Sequence, residues 1–214
     1  IQVTDGLELQ LIFDPTIGDI LKSVGKGDLL VGLDQDNMIT IFGEYVIEKG
    51  DYLFTMGNLI NKKFVLTPGG NISWNGSPYE ANIDVSAIYS LRTQLGDLYP
   101  DLANKHTKIP VECIMHLKEQ LANPTVTFNI EFPSLDLQTR SSLQSFLSTP
   151  DDINKQIFSL LLLNNFYTLD NTDNWRDAGR QAGVTTLTEL MSNQVSNWLS
   201  QISHYFDVGF ASLP

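Results

Sequence analysis

Apolar and polar residues alternate along much of this chain, most cleanly between residues 79 and 91. Tyr79, Ala81, Ile83, Val85, Ala87, Tyr89 and Leu91 fall on one face. Glu80, Asn82, Asp84, Ser86 and Ser90 fall on the other, with Ile88 the exception. A period of two over so many residues predicts a β-strand with one dry and one wet face, longer than the usual strand of about 5–6 residues. Upstream, Leu7, Leu9, Leu11 and Phe13 alternate until Asp14-Pro15. Residues 29–33 form a short apolar run, and Ile39, Ile41, Gly43, Tyr45 and Ile47 share a face. Further strand-like residues are Tyr52, Phe54 and Met56, then Phe64 and Leu66, then Ile72 and Trp74. Residues 16–28 are polar and glycine-rich and are expected to form a loop. Turns are expected at Asp34-Gln35-Asp36-Asn37, Lys49-Gly50-Asp51, Asn61-Lys62-Lys63, Thr67-Pro68-Gly69-Gly70 and Asn75-Gly76-Ser77-Pro78. Residues 92–109 are expected to leave the sheet, and strands at 111–117 and 125–132 follow.

The pattern then becomes helical. Leu143 and Leu147 have helical spacing, and Thr149-Pro150-Asp151-Asp152 reads as a helix start: cap, proline at the first position, acids in the first turn. That helix runs through Ile153, Ile157 and Phe158 into Leu160-Leu161-Leu162-Leu163. It is apolar all round in its second half, so it should be buried against the sheet or a partner. Residues 167–184 read as a polar linker. Thr186 and Glu189 make a capping box, and Leu187, Leu190, Met191, Val195, Trp198, Ile202 and Tyr205 trace a stripe on a final helix of roughly 30 Å. The expected fold is mainly β with C-terminal helices. Residues 1–135 make a long antiparallel sheet, residues 136–206 a helical segment packed on or beside it, and residues 207–214 the truncated start of a further strand.

Composition narrows the function. The 214 residues carry a net charge of −12, which argues against nucleic acid and against polybasic adhesion to anionic headgroups. Cys113 is the lone cysteine and takes an inward slot beside Val111, Met115 and Leu117, as a buried inert thiol would. His106, His116 and His204 lack partners at metal-ligand spacing, and no nucleophile elbow or phosphate loop is present. The chain is therefore not expected to be an enzyme or to need a cofactor. What remains is an apolar face spread over eight or nine strands. It must be covered by the helices, curl on itself, or form a trough for a ligand.

Several stretches carry a family resemblance: Gly50-Asp51-Tyr52-Leu53-Phe54, then Ile60-Asn61-Lys62-Lys63-Phe64, then Pro68-Gly69-Gly70-x-Ile72-x-Trp74-x-Gly76-x-Pro78-Tyr79. With Leu160 to Asn164 and Phe166, Asn197-Trp198-Leu199-Ser200 and Phe206-Asp207-Val208-Gly209, they resemble the C-terminal domain of the TamB family, the translocation and assembly module proteins related to AsmA-like bridges. The likeness runs from about residue 27 to residue 210. It implies a periplasmic bridge associated with the outer membrane, with the full-length protein anchored in the inner membrane and making its membrane contact there. It implies a curled, trough-like sheet with an apolar interior that carries phospholipid toward the outer membrane, docked on an Omp85-type, TamA-like barrel. The alternative is a module for outer-membrane protein assembly or translocation without lipid carriage. On the first reading the lipid groove is Ile39, Ile41, Tyr45, Phe54, Ile72, Trp74, Ile83, Val85, Ala87, Tyr89, Met115, Phe128 and Ile130. Partner docking then falls to Leu190, Val195, Trp198 and Ile202.

Overall fold

The computed structural model describes residues 3–14, 19–56, 60–95, 98, 107–122, 124–167 and 207–211. The chain folds as one antiparallel sheet. Its strands are β1 (Val3–Asp14), β2 (Asp19–Leu33), β3 (Ile39–Met56), β4 (Ile60–Leu66), β5 (Asn71–Gly76), β6 (Asn82–Gln94), β7 (Lys108–Gln120), β8 (Thr125–Glu131) and β9 (Asp207–Ala211). Helices α1 (Leu137–Gln144) and α2 (Pro150–Leu163) follow β8. Across the sheet the order is β8-β7-β6-β4-β3-β2-β1-β9, with β5 between β3 and β6. β9 pairs with β1.

Several expected turns prove to be strand. Residues 16–28 were expected to loop, but β2 begins at Asp19 and runs without a break to Leu33. Its inward slots include Ser23 and Gly25, which hide the periodicity. The reason lies on β3. The Tyr45 ring lies over these slots, so a Cβ at residue 25 would come within 2.8 Å of its Cζ atom. Lys49-Gly50-Asp51 was expected to close a hairpin, but it lies inside the 18-residue β3, with Gly50 directly opposite Ser23 of β2. Glycine there serves close approach: a Cβ would meet backbone of β2 and the Leu66 side chain. Asn61-Lys62-Lys63 is likewise strand, with Lys63 bridging to Asp51 at 2.9 Å across the β3–β4 pair.

Pro68-Gly69-Gly70 does not reverse the chain. β4 pairs with one half of β3 and β5 with the other, both antiparallel, so the two run on in the same direction along one edge. The residues between them bulge out and are tied back by Ile47 N–H to the Gly70 carbonyl (2.7 Å) and Gly69 N–H to the Ile47 carbonyl (2.8 Å). Tyr79 belongs to a short 3-10 turn, Pro78–Glu80, and not to β6. It is half exposed. β6 and β7 also extend further into the segment 92–109 than expected, reaching Gln94 and starting at Lys108.

The sheet is strongly curled. β3 and β8 are separated in the order by β4, β6 and β7, yet the rings of Phe54 and Phe128 meet edge to face at 6.4 Å. The same aromatic chain continues to Phe64 on β4 (5.9 Å from Phe54) and to Phe158 on α2 (6.3 Å from Phe128). α2 starts as its sequence dictates: Thr149 caps the Asp152 N–H at 3.1 Å, and Pro150 takes the first position. It ends at Asn164, whose φ of 57° is left-handed. Ile157, Phe158, Leu160 and Leu161 are buried on the concave side of the sheet. Each such side chain contributes about 1.5–3 kcal/mol by leaving water.

Gly43 faces Leu29 of β2 and Trp74 of β5 with a φ of 121°. A Cβ there meets the backbone of Asp28. Gly43→Ala is expected to lower unfolding free energy by about 2 kcal/mol or more in urea titration, because strain and overlap add at one central position.

Candidate functional site

The apolar interior is built in rungs. Ile72 sits beside Tyr45 on one side and Ile83 on the other. Val85 lies beside Leu117, which lies beside Val126. Leu66, Ala87, Met115 and Phe128 form one continuous rung, and Tyr89, Cys113 and Ile130 another. Ile41, Tyr45, Phe54, Ile72, Trp74, Ile83, Val85, Ala87, Met115 and Ile130 are buried in this interior. Tyr89 and Phe128 are partly buried and packed against it. Ile39 differs: it lies at the end of the β2–β3 hairpin and is 54% exposed. Leu190, Val195, Trp198 and Ile202 lie outside the described residues.

α2 occupies the concave face instead of lying beside it. Its end is fastened. Gln156 receives the Tyr167 N–H at 2.8 Å and donates to the Tyr167 carbonyl at 3.1 Å, and Ser159 donates to the Asn165 carbonyl at 2.7 Å. Thr93 of β6 donates to the Asn165 side chain at 3.4 Å. With α2 in place the interior is packed with protein side chains.

Periodicity did not reveal the polar groups inside. The Tyr45 hydroxyl donates to the Leu7 carbonyl at 3.0 Å and lies 3.2 Å from Ser23 Oγ, tying β3 to β1 and β2. Asp19, almost wholly buried, is hydrogen-bonded to the Tyr52 hydroxyl. Their signals in sequence, a serine and an aspartate in a glycine-rich stretch, are those of a loop. Lys62 was also missed. It pairs with Phe54 and so shares the concave side, with its ammonium 5.4 Å above the Tyr89 ring. Trp74 Nε1 donates to the Pro78 carbonyl at 3.1 Å, which gives the Trp-x-Gly-x-Pro-Tyr spacing its physical meaning.

The outer face is wet. Lys26–Glu48 and Lys118–Asp84 are exposed ion pairs of small energetic weight. Ser86 Oγ lies 2.8 Å from His116 Nδ1. A polar hollow of about 510 Å³ opens beside Thr67, Gly70, Asn71, Asp84 and Ser86, a lining unsuited to acyl chains. Among the described residues no cluster of His, Cys, Asp or Glu forms a metal site, and no helix is long and apolar enough to cross a membrane. Burial pushes the Cys113 thiol up to about 12, so it stays protonated and unreactive.

Burial also raises the Tyr45 phenol, and raises Tyr52 far more, with the neighbouring Asp19 adding to the effect. Below pH ~10 both phenols are neutral in folded and unfolded chains alike. Above it Tyr52 ionises only in the unfolded chain, so stability falls as pH rises, by up to about 1.4 kcal/mol per pH unit. Urea titrations between pH 9 and 11 are expected to show this slope, and Tyr52→Phe is expected to flatten it.

No curated protein matches the chain. The family model for the TamB C-terminal domain does, over residues 1–212, and that span takes in every described strand and both helices. The chain therefore belongs to the TamB C-terminal domain family, a family of envelope proteins associated with outer-membrane assembly.

Proposed function

We propose that this domain carries phospholipid along its concave face toward the outer membrane, as the periplasmic, barrel-docked part of a protein anchored in the inner membrane. The supporting observation is the run of apolar rungs from Tyr45 across to Phe128 and Ile130, closed over by one helix. Acyl chains prefer such a surface to water at about 0.8 kcal/mol per CH₂. Lys62 sets a cation over Tyr89 on this face, which suits a phosphate headgroup. The packed interior means that loading proceeds by displacement of α2, which exchanges its own leucines for acyl chains. The reading assigns no catalytic step and no cofactor to the domain. Docking on an Omp85-type, TamA-like barrel is part of the proposal. The competing reading is that the domain serves outer-membrane protein assembly without carrying lipid.

The experiment fixes the helix. Thr93→Cys with Asn165→Cys joins β6 to the end of α2, where the native side chains already touch. Native mass spectrometry of the chain purified from membranes is expected to show bound phospholipid in the wild type and in the reduced variant. The oxidised variant, folded by circular dichroism, is expected to show none. A wild type that never carries lipid sinks the conduit and leaves the assembly reading.

A further inference from the structure

The sheet divides at one place. β4 and β6 pair only through Val65–Ile88 and Leu66–Ala87. Past those pairs both strands run on, Phe64 to Ile60 still paired with β3 and Tyr89 to Gln94 still paired with β7. Their facing edges form a fork, and water reaches the inner face inside it. On β6 the inward residues Val85 and Ala87 are buried, but Tyr89 and Leu91 are partly exposed. On β4 Leu66 and Phe64 are buried, but Lys62 is partly exposed. The interior closes again at Ile60 and Thr93, both buried. The opening is thus a window with buried residues at both ends, next to the rung of Ala87, Met115 and Phe128.

One cation stands in this window. Lys62 lies opposite Phe54 and so keeps inward phase. Its Nζ is 5.4 Å from the centre of the Tyr89 ring, and the Phe64 ring lies 5.6 Å from the same ring. Among the described residues Lys62 makes no ion pair. Asp51 on the neighbouring strand faces outward and is taken by Lys63 at 2.9 Å. Lys26 and Lys118 are paired with carboxylates on the outer face, and Arg92 donates to the Lys108 carbonyl at 2.7 Å. Of these side chains Lys62 alone has only an aromatic face for its charge.

We propose that this window is where the headgroup of a carried phospholipid stays in water, and that Lys62 holds its phosphate. The inference rests on lipid carriage and adds to it a position and a handle for the headgroup. An unpaired charge enters an apolar interior only at heavy cost. A lipid whose tails lie among the rungs therefore needs a break in the wall for its headgroup, and the fork is such a break. From it the tails reach Ala87, Met115 and Phe128 directly. An ammonium on a flexible four-carbon stem swings from ring to phosphate, and its bond to an ionised acceptor outweighs its hold on the ring. Tyr89 keeps the ammonium at the window until a phosphate arrives. The polar hollow beside Asp84 is no rival, because its lining has a carboxylate and neither lysine nor arginine.

The probes are phosphatidylglycerol and the diacylglycerol with the same fluorescent tails, each presented on cyclodextrin to the 214-residue chain. Wild type is expected to bind phosphatidylglycerol about tenfold or more tightly than diacylglycerol. Lys62→Gln, folded by circular dichroism, should lose that margin and leave diacylglycerol binding unchanged. Lys62→Arg should restore it. Lys63→Gln, on the outer face, should behave as wild type. A phosphocholine lipid with a nitroxide on its headgroup should quench a dye at Ser90→Cys, exposed beside the window, and not at Asn82→Cys, exposed at the other end of β6. Equal phosphatidylglycerol binding by wild type and Lys62→Gln, or quenching at residue 82 instead of 90, overturns the proposal and leaves lipid carriage standing. Weakening of both probes alike gives Lys62 a merely structural part and also overturns it. Binding of neither probe by folded wild type overturns carriage itself, and this inference with it. Inorganic phosphate bound by a wild type that takes up no lipid, and not by Lys62→Gln, would make this a free-phosphate site and overturns it too.

Discussion

An antiparallel sheet with one apolar face cannot leave that face in water, and this constraint shapes the whole domain. The face is too broad for α2 alone, so the sheet rolls until β3 and β8 meet through Phe54 and Phe128. What remains open is closed by α2, with Phe158 edge to face with Phe128. Curl and helix are two solutions to one problem, and they share a contact. That sharing couples them: a change in the curl that separates β8 from β3 also shifts the surface on which the helix rests.

The interior is nevertheless not uniform. Toward β1 and β2 it contains hydroxyl and carboxyl groups, the Tyr45–Ser23 pair and the Asp19–Tyr52 pair. Toward β6, β7 and β8 it is built mainly from Val85, Ala87, Met115, Leu117 and Ile130, with the thiol of Cys113, the buried hydroxyl of Thr93 and the hydroxyl of Tyr89 at the margin. A buried hydrogen-bonded pair holds its geometry more strictly than aliphatic packing does. The polar end therefore reads as the fixed part of the interior, and the aliphatic end, where α2 sits, as the part that tolerates exchange of contents.

The sequence made the β6 face legible residue by residue, because its partners alternate as it does. It also made the start of α2 legible, since capping is local and Thr149 acts within three residues; the Asp136 cap of α1, equally local, went unread. It concealed β2, because Ser23 and Gly25 are inward residues only by virtue of a tyrosine two strand positions removed in the chain's local grammar, across the β2–β3 pair. It concealed the path of the chain through Gly50 and Pro68 for a related reason. Glycine and proline announce a departure from regular backbone but do not say whether the chain turns, bulges or simply passes close to a neighbour. Ile39 shows the limit of periodicity itself: it keeps the inward phase of β3 but lies where the interior has ended. Lys62 shows the reverse, a charged residue in inward phase that finds an aromatic ring.

Gln156 grips the backbone of Tyr167 with both ends of its amide, and the loop between them is short. The polypeptide leaving this point is thus harnessed to the helix by main-chain atoms, independent of what side chains follow. A tug on the downstream chain reaches α2 through a two-point hitch near the helix's middle turn and is not spent in fraying its last residues. The helix is in effect a cover with its cord already tied.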